Sequence, residues 1–315
     1  MAPLDPAVQK FLDAFNQIPK AVLDNMSISD GRTAYLNFAL MNGGEPLRMA
    51  RVEDTDIVSP RTQQKIPLRI YTPILNRKLP ALVYFHGGGW HRGSIATHDS
   101  ICRYLSTHAA CIVVSVEWRL SPENPFSTGL DDCLDAYLWA HKNAQAYNMD
   151  PQRIAVGGDS AGGNMTAVTT QRLRDEKHGP QACFQLMCYP ATDLTCSFPS
   201  YDTFAEGYFL TKDRVIAYAT DYVKDKVALD HPMASPLKAK DFRDLPPAHI
   251  ITAGYDPLRD EGHAYFEKLQ AAGVPATYTC YESMIHAFLH MSGASPAVKE
   301  ALIEIATVLK NALYD

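Results

Sequence analysis

From about residue 66 onward, short and mostly apolar runs alternate with longer stretches in which apolar side chains recur every three or four positions. The runs occupy residues 66–71, 81–85, 111–116, 154–157, 183–189, 248–253 and 276–281. Apolar character on successive rather than alternate positions predicts strands buried on both faces. Between the runs, Leu130, Leu134, Tyr137 and Leu138 fall at helical spacing, as do Tyr265, Phe266 and Leu269, and then Leu302, Ile303, Ile305 and Leu309. Strands alternating with helices predict an α/β fold with a mostly parallel sheet covered on both faces.

Two regions break the rhythm. Residues 1–48 precede the first predicted strand and carry an amphipathic stretch, Val8, Phe11, Leu12 and Phe15. Residues 192–244 separate two successive strands by far more than a crossover needs, with Phe204, Tyr208, Phe209, Val215, Ile216, Tyr218 and Tyr222 spread through them. Insertions of this length in α/β proteins often form lids. The expected organisation is a main α/β domain of residues 49–191 and 245–315, with residues 1–48 and 192–244 forming a helical cap.

Composition narrows the function classes. At 315 residues and 46% hydrophobic, the chain can bury a large core without staples. A net charge of −6 disfavours nucleic acid or an anionic membrane surface and suits a small neutral ligand. Seven scattered cysteines without a C-x-x-C pair suggest neither a disulfide framework nor a structural zinc site. The N-terminus lacks the basic start and apolar stretch of a signal peptide, and no segment has eighteen consecutive apolar residues, so a cytoplasmic protein outside the membrane is expected. A homodimer is compatible with these features.

The strongest chemical signal is Gly158-Asp159-Ser160-Ala161-Gly162, directly after a predicted strand and before a helical pattern through Met165, Val168 and Leu173. This is the context of a nucleophile elbow, in which a serine on a sharp strand-to-helix turn presents its hydroxyl outward. Upstream, the strand 81–85 runs into His86-Gly87-Gly88-Gly89-Trp90. Consecutive glycines there allow main-chain N–H groups to meet the negative oxygen of a tetrahedral intermediate. Gly87, Gly88 and Ala161 are the expected oxyanion donors.

A serine needs a histidine to take its proton and a carboxylate to orient that histidine, in the chain order serine, acid, histidine. Of the histidines after the long insertion, His286 falls on a loop after the last strand and is the expected base. His290, four residues on, competes with it; the pair has metal-ligand spacing, but no H-E-x-x-H glutamate or third ligand accompanies it, so no metal is expected. Asp256 comes first after the strand 248–253 and is favoured as the acid over Asp260. Asp260 and Glu261 have an alternative role beside a helix N-terminus.

Taken together, these motifs resemble the hormone-sensitive-lipase-type (bacterial family IV) esterases of the α/β-hydrolase fold, and the ending Ile285-His286-Ala287-Phe288-Leu289-His290 is similar to that of bacterial acetyl esterases. Asp256-Pro257-Leu258-Arg259-Asp260 and Trp118-Arg119-Leu120-Ser121-Pro122-Glu123 add to the likeness, although tryptophan and serine in the second segment depart from the family's Tyr-Arg-Leu-Ala-Pro-Glu. The resemblance implies an eight-stranded, mostly parallel sheet, a catalytic triad of Ser160, Asp256 and His286, and hydrolysis of short-chain carboxylic esters, acetyl to hexanoyl, without a cofactor. Trp90, Phe209, Ile285 and Phe288 are candidates for the acyl pocket, each with plain core as the alternative. Rival readings are an amidase or formamidase, since His86-Gly87-Gly88-Gly89-Trp90 also resembles the glycine-tryptophan loop of kynurenine formamidases, and a non-catalytic ligand receptor.

Overall fold

The computed structural model describes residues 2–177 and 179–315. Among them, eight strands make one sheet: β1 (Arg51–Val58), β2 (Lys65–Thr72), β3 (Leu79–Phe85), β4 (Ile112–Val116), β5 (Met149–Asp159), β6 (Gln185–Cys188), β7 (Ala248–Tyr255) and β8 (Ala276–Ile285). Their spatial order is β1-β2-β4-β3-β5-β6-β7-β8. The β1–β2 and β2–β4 pairs are antiparallel and the others parallel. Each of the seven apolar runs falls within or across a strand from β2 to β8.

The strand that apolar runs did not predict is β1. It lies at the sheet edge, half of its side chains are charged, and Asp54 and Asp56 pair with Arg69 and Lys65 of β2 at 2.7 and 2.9 Å. Solvent takes one face, so its pattern is polar; charge along an edge also discourages pairing with other chains.

Three helices precede the sheet: α1 (Pro6–Phe15), α2 (Lys20–Asp24) and α3 (Ile28–Asn42). Next come α4 (Asp99–Ala109), α5 (Thr128–Lys142), α6 (Ala161–Glu176), the insertion helices α7 (Ser200–Thr203) and α8 (Lys212–Val223), then α9 (Arg259–Ala271) and α10 (Pro296–Tyr314). β3 shows how the layers form. Its Ala81, Val83 and Phe85 share a core with Leu130 and Leu134 of α5 and Met165 and Val168 of α6. Its Leu82 and Tyr84 face the other core, with Ile101 and Leu105 of α4 and Leu302, Ile305 and Leu309 of α10. Alternate strand residues point to opposite faces, so a strand between two helical layers must be apolar throughout.

Two registers position the chemistry. Phe85 pairs with Gly158 across β3 and β5, so the loops after these strands leave the same sheet edge side by side. Tyr255 pairs with Ile285 across β7 and β8, which places Asp256 beside His286. The N-terminal helices and the insertion meet through an aromatic cluster: Phe11, Phe15 and Phe38 lie 5.4, 5.1 and 5.0 Å from the Phe209 ring centroid. No helix among the described residues is long and apolar enough to cross a membrane.

Candidate active site

Ser160 is the single residue linking β5 to α6, and it adopts φ 55°, ψ −117°. A non-glycine residue held there stores about 1–3 kcal/mol of strain, tolerated only where the surroundings enforce it. They do so by close approach: a Cβ at Gly158 or at Gly162 would collide with the Phe85 carbonyl oxygen. The turn is also fastened to the end of β6, since Ser160 N–H donates to the Cys188 carbonyl at 2.8 Å.

Ser160 Oγ lies 2.8 Å from His286 Nε2, and His286 Nδ1 lies 2.7 Å from Asp256 Oδ2. A carboxylate only accepts, so Nδ1 carries the proton and neutral His286 presents Nε2 as acceptor to the serine hydroxyl. Asp256 is fully buried, and its other oxygen accepts from Leu258 N–H at 2.8 Å. The Tyr189 ring packs edge-on against His286 at 4.9 Å and restricts the imidazole. Asp260 and Glu261 are engaged elsewhere. Asp260 accepts from Ser200 N–H at 2.9 Å, and Glu261 from Thr192 N–H at 2.6 Å and Tyr201 O–H at 2.8 Å. Both carboxylates fasten the first part of the 192–244 insertion to the start of α9, a role beyond the helix-terminus one expected for them.

One oxyanion assignment needs correction. Gly87 N–H donates to Asp159 Oδ1 at 2.9 Å and is therefore turned away from Ser160. Gly88 and Gly89, at φ 125° and 62°, line the cavity above the serine, and their N–H groups bond no acceptor among the described residues. These are conformations that glycine reaches without penalty. The free donors beside Ser160 are thus those of Gly88, Gly89 and Ala161 at the start of α6.

Asp159 organises the loop beneath them. Its Oδ1 accepts from Gly87 N–H and from Tyr84 O–H at 2.8 Å and lies 3.1 Å from His98 Nε2, which is itself 3.2 Å from Gly87 N. Burial pushes the Asp159 carboxyl up, but His98, His290 and the Tyr84 hydroxyl outweigh it and hold the group well below the usual carboxylate range. His290, the competing base, lies in this network rather than against Ser160: its ring packs at 4.6 Å on His98 and its Nε2 is 2.9 Å from Tyr35 O–H of α3. Burial and His98 push His290 down to about 3, so it is neutral. Atoms of His98, Asp159 and His290 lie within 4.8 Å of one another, as a metal site would need. Hydrogen bonds from protein groups already engage Asp159 Oδ1, His98 and His290 Nε2, which makes the cluster a structural network rather than an open coordination site.

The cavity above Ser160 measures about 40 Å³. Trp90 and Phe209 line it; Ile285 and Phe288 do not, and both are fully buried in the core on the α4 and α10 face. For those two the core alternative holds: around the base, His286 and Ala287 line the cavity while Ile285 and Phe288 turn into the core. Sequence reasoning did not place Tyr35, Arg92, Leu210, Val215, Tyr218 and Leu258 at the site; with Ala191 and Ala287 they complete the lining. Val215 and Tyr218 left a signal as apolar and aromatic positions of the insertion, and Arg92 as a lone charge three residues beyond the glycines. Tyr35 comes from the N-terminal segment and Phe209 to Tyr218 from the insertion, so both irregular regions reach the serine.

The sequence profile described as the α/β hydrolase fold matches residues 82–290. The chain belongs to the α/β hydrolase fold family. Within it, this α/β hydrolase is of the hormone-sensitive-lipase-like type. It is similar to a carboxylesterase of Mycobacterium tuberculosis, with 38% identity covering 99% of this chain and 97% of the relative. It is also similar to an arylesterase of Saccharolobus solfataricus, with 35% identity covering 98% and 99%. An ester hydrolase from the metagenome of Lake Arreo, solved with a bipyridine phosphonate derivative, superposes with a TM-score of 0.92 at 38% identity over 98% of each chain. The activity of this α/β hydrolase is that of a carboxylesterase.

Proposed function

We propose that this α/β hydrolase cleaves short-chain carboxylic esters by acyl transfer to Ser160, with His286 as general base and acid and Asp256 as its orienting carboxylate. The observation that carries the reading is the unbroken chain of contacts at 2.8 and 2.7 Å from Ser160 Oγ through His286 to Asp256. Ser160 Oγ attacks the ester carbonyl as its proton passes to His286 Nε2. The carbonyl oxygen becomes an oxyanion facing the N–H groups of Gly88, Gly89 and Ala161. On collapse the C–O bond to the alcohol breaks, and the alkoxide takes the proton from His286. Water then gives a proton to His286 as its oxygen adds to the acyl carbon; the second collapse releases the acid, and Ser160 Oγ regains the proton.

A cavity of about 40 Å³, walled by Trp90 and Phe209, favours acetyl to hexanoyl chains over longer ones. The N-terminal segment and the 192–244 insertion act together as a cap, supported by the aromatic cluster around Phe209 and by their shared lining of the cavity. Seven free cysteines fit a reducing compartment such as the cytoplasm. The test is a panel of 4-nitrophenyl esters from acetyl to decanoyl beside matched anilides, with Ser160→Ala as the blank. Serine-dependent turnover peaking at or below hexanoyl is expected; faster decanoyl than butyryl turnover overturns the chain-length reading, and faster anilide turnover makes the enzyme an amidase.

A further inference from the structure

Arg92 is the unusual member of the cavity lining. It stands with Ser160, Gly88, Gly89 and otherwise mostly apolar or aromatic side chains, and among the described residues no carboxylate lies within ion-pair distance of it. Its guanidinium sits over the rings of Tyr35 and Tyr218, 4.9 and 5.3 Å from their centroids. The rings attract the charge but accept no hydrogen bond in its plane, and Arg92 Nε is buried with no partner. A partly buried guanidinium whose in-plane donors are unpaired is matched by a carboxylate, which accepts two of them side by side.

The backbone of Arg92 is rigidly held, while its guanidinium meets no carboxylate among the described residues. Arg92 N–H donates to the Gly88 carbonyl at 3.1 Å, and Gly88 packs so closely on the Arg92 carbonyl that any Cβ there would collide. The cation is therefore built on the loop that presents the oxyanion donors, at a separation from the scissile carbonyl that the loop sets. Arg92, Phe209 and Tyr218 also line an outer hollow of about 700 Å³ between the N-terminal helices and α8. Arg92 thus marks the passage from that hollow to the serine.

Resting on the reading of Ser160 above, we propose that Arg92 is an anion subsite that selects esters carrying a carboxylate a few bonds from the scissile carbonyl. Substrates of this class are half-esters of dicarboxylic acids, with the charge on the acyl side, or acyl esters of hydroxy acids, with it on the alcohol side. Either places one carboxylate on the same guanidinium.

The experiment compares kcat/KM for charged and neutral pairs of matched size: mono-4-nitrophenyl glutarate with 4-nitrophenyl pentanoate for the acyl side, and 3-acetoxybenzoate with phenyl acetate for the alcohol side. The readout is the charged-to-neutral ratio, which is insensitive to the fraction of folded enzyme. In at least one pair, Arg92→Met is expected to lower this ratio about 10- to 100-fold, the range for a hydrogen bond to a charged group, and Arg92→Lys to retain part of it. A ratio unchanged by Arg92→Met in both pairs, with charged and neutral rates falling together, makes Arg92 a packing residue and overturns the proposal. Thermal midpoints of Ser160→Ala and Ser160→Ala/Arg92→Met proteins with glutarate read the subsite without turnover. Stabilisation by glutarate only when Arg92 is present upholds the subsite even if no ester is cleaved, in which case the esterase reading alone fails. Ester turnover with no charge preference and no Arg92-dependent stabilisation leaves the esterase and removes the subsite.

Discussion

Removing the Asp159 carboxylate separates the oxyanion loop from the nucleophile without touching the triad. In Asp159→Ala, Tyr84 O–H and Gly87 N–H lose the oxygen they share, and His98 Nε2 loses its carboxylate neighbour. Tyr84 O–H is left buried without an acceptor and Gly87 N–H keeps only the longer contact to His98 Nε2 at 3.2 Å; at about 1–3 kcal/mol for each bond lost, the substitution is worth roughly 2–6 kcal/mol, a large share of the stability of many domains. Asp159→Asn keeps an oxygen in the same place and loses only charge assistance, about 1 kcal/mol per bond or roughly 2 kcal/mol in all. The catalytic effect follows from Gly87 being the neighbour of Gly88. A slackened loop misplaces donors that matter most once the oxyanion has formed, so kcat falls while KM changes little. For Asp159→Asn the expected loss is at least about tenfold and no more than the 10²- to 10³-fold of losing one donor outright. Urea titration followed by circular dichroism gives the stability of both variants, and steady-state kinetics on 4-nitrophenyl butyrate gives the split between kcat and KM. An Asp159→Ala protein within 1 kcal/mol of the parent, or an Asp159→Asn protein with unchanged kcat and raised KM, would refute the reasoning.

Other perturbations test neighbouring links. Ser160→Ala abolishes labelling by a fluorophosphonate and burst formation of the acyl-enzyme; labelling that persists places the nucleophile elsewhere. Asp256→Asn leaves His286 without a negative partner and with the wrong tautomer favoured, lowering kcat by about 10³- to 10⁴-fold with the fold intact, so thermal midpoints near the parent accompany the loss. Gly162→Ala drives a methyl group into the Phe85 carbonyl, and loss of soluble folded protein or several kcal/mol of stability is expected; an alanine variant as stable as the parent contradicts the packing of the elbow. Burial, reinforced by His98, holds His86 and His290 down to about 3, while the unfolded chain protonates them near 6.5. The native state binds fewer protons across that window, so their contribution is complete above about 6.5 and is lost as pH falls towards 3, by up to about 1.4 kcal/mol per pH unit for each. Urea midpoints at pH 7.5 and pH 5 measure this, and equal midpoints would count against two buried neutral imidazoles.

The sequence was most legible where burial imposes a pattern. Strands β3 to β7 announce themselves because a strand between two helical layers has no polar face, and β2 and β8 show through apolar and aromatic runs although each is partly open to solvent; β1 escaped because its edge position lets solvent take every second side chain. The Gly158 and Gly162 positions were equally clear, since a close backbone approach excludes every larger residue and leaves a spaced pair around Ser160. Chain order and the ends of predicted strands led to Asp256 and His286, which the Tyr255–Ile285 register brings side by side.

What sequence alone determined, then, was the fold class, the layer order and the identities of Ser160, Asp256 and His286 as residues that meet. Tertiary structure decided the rest. Which of three consecutive glycines offers a free N–H depends on the sign of φ and on where the Asp159 carboxylate lies, and neither is written in a run of identical residues. Ile285 and Phe288 flank the base in sequence yet face the core, while Tyr35, Arg92 and Tyr218 lie far from it in sequence and line the cavity. Periodicity reports whether a side chain is buried, because burial is a property of one element against its layer. Convergence of a tyrosine from α3, an arginine from the oxyanion loop and a tyrosine from α8 is a property of three elements at once, and only their packing specifies it.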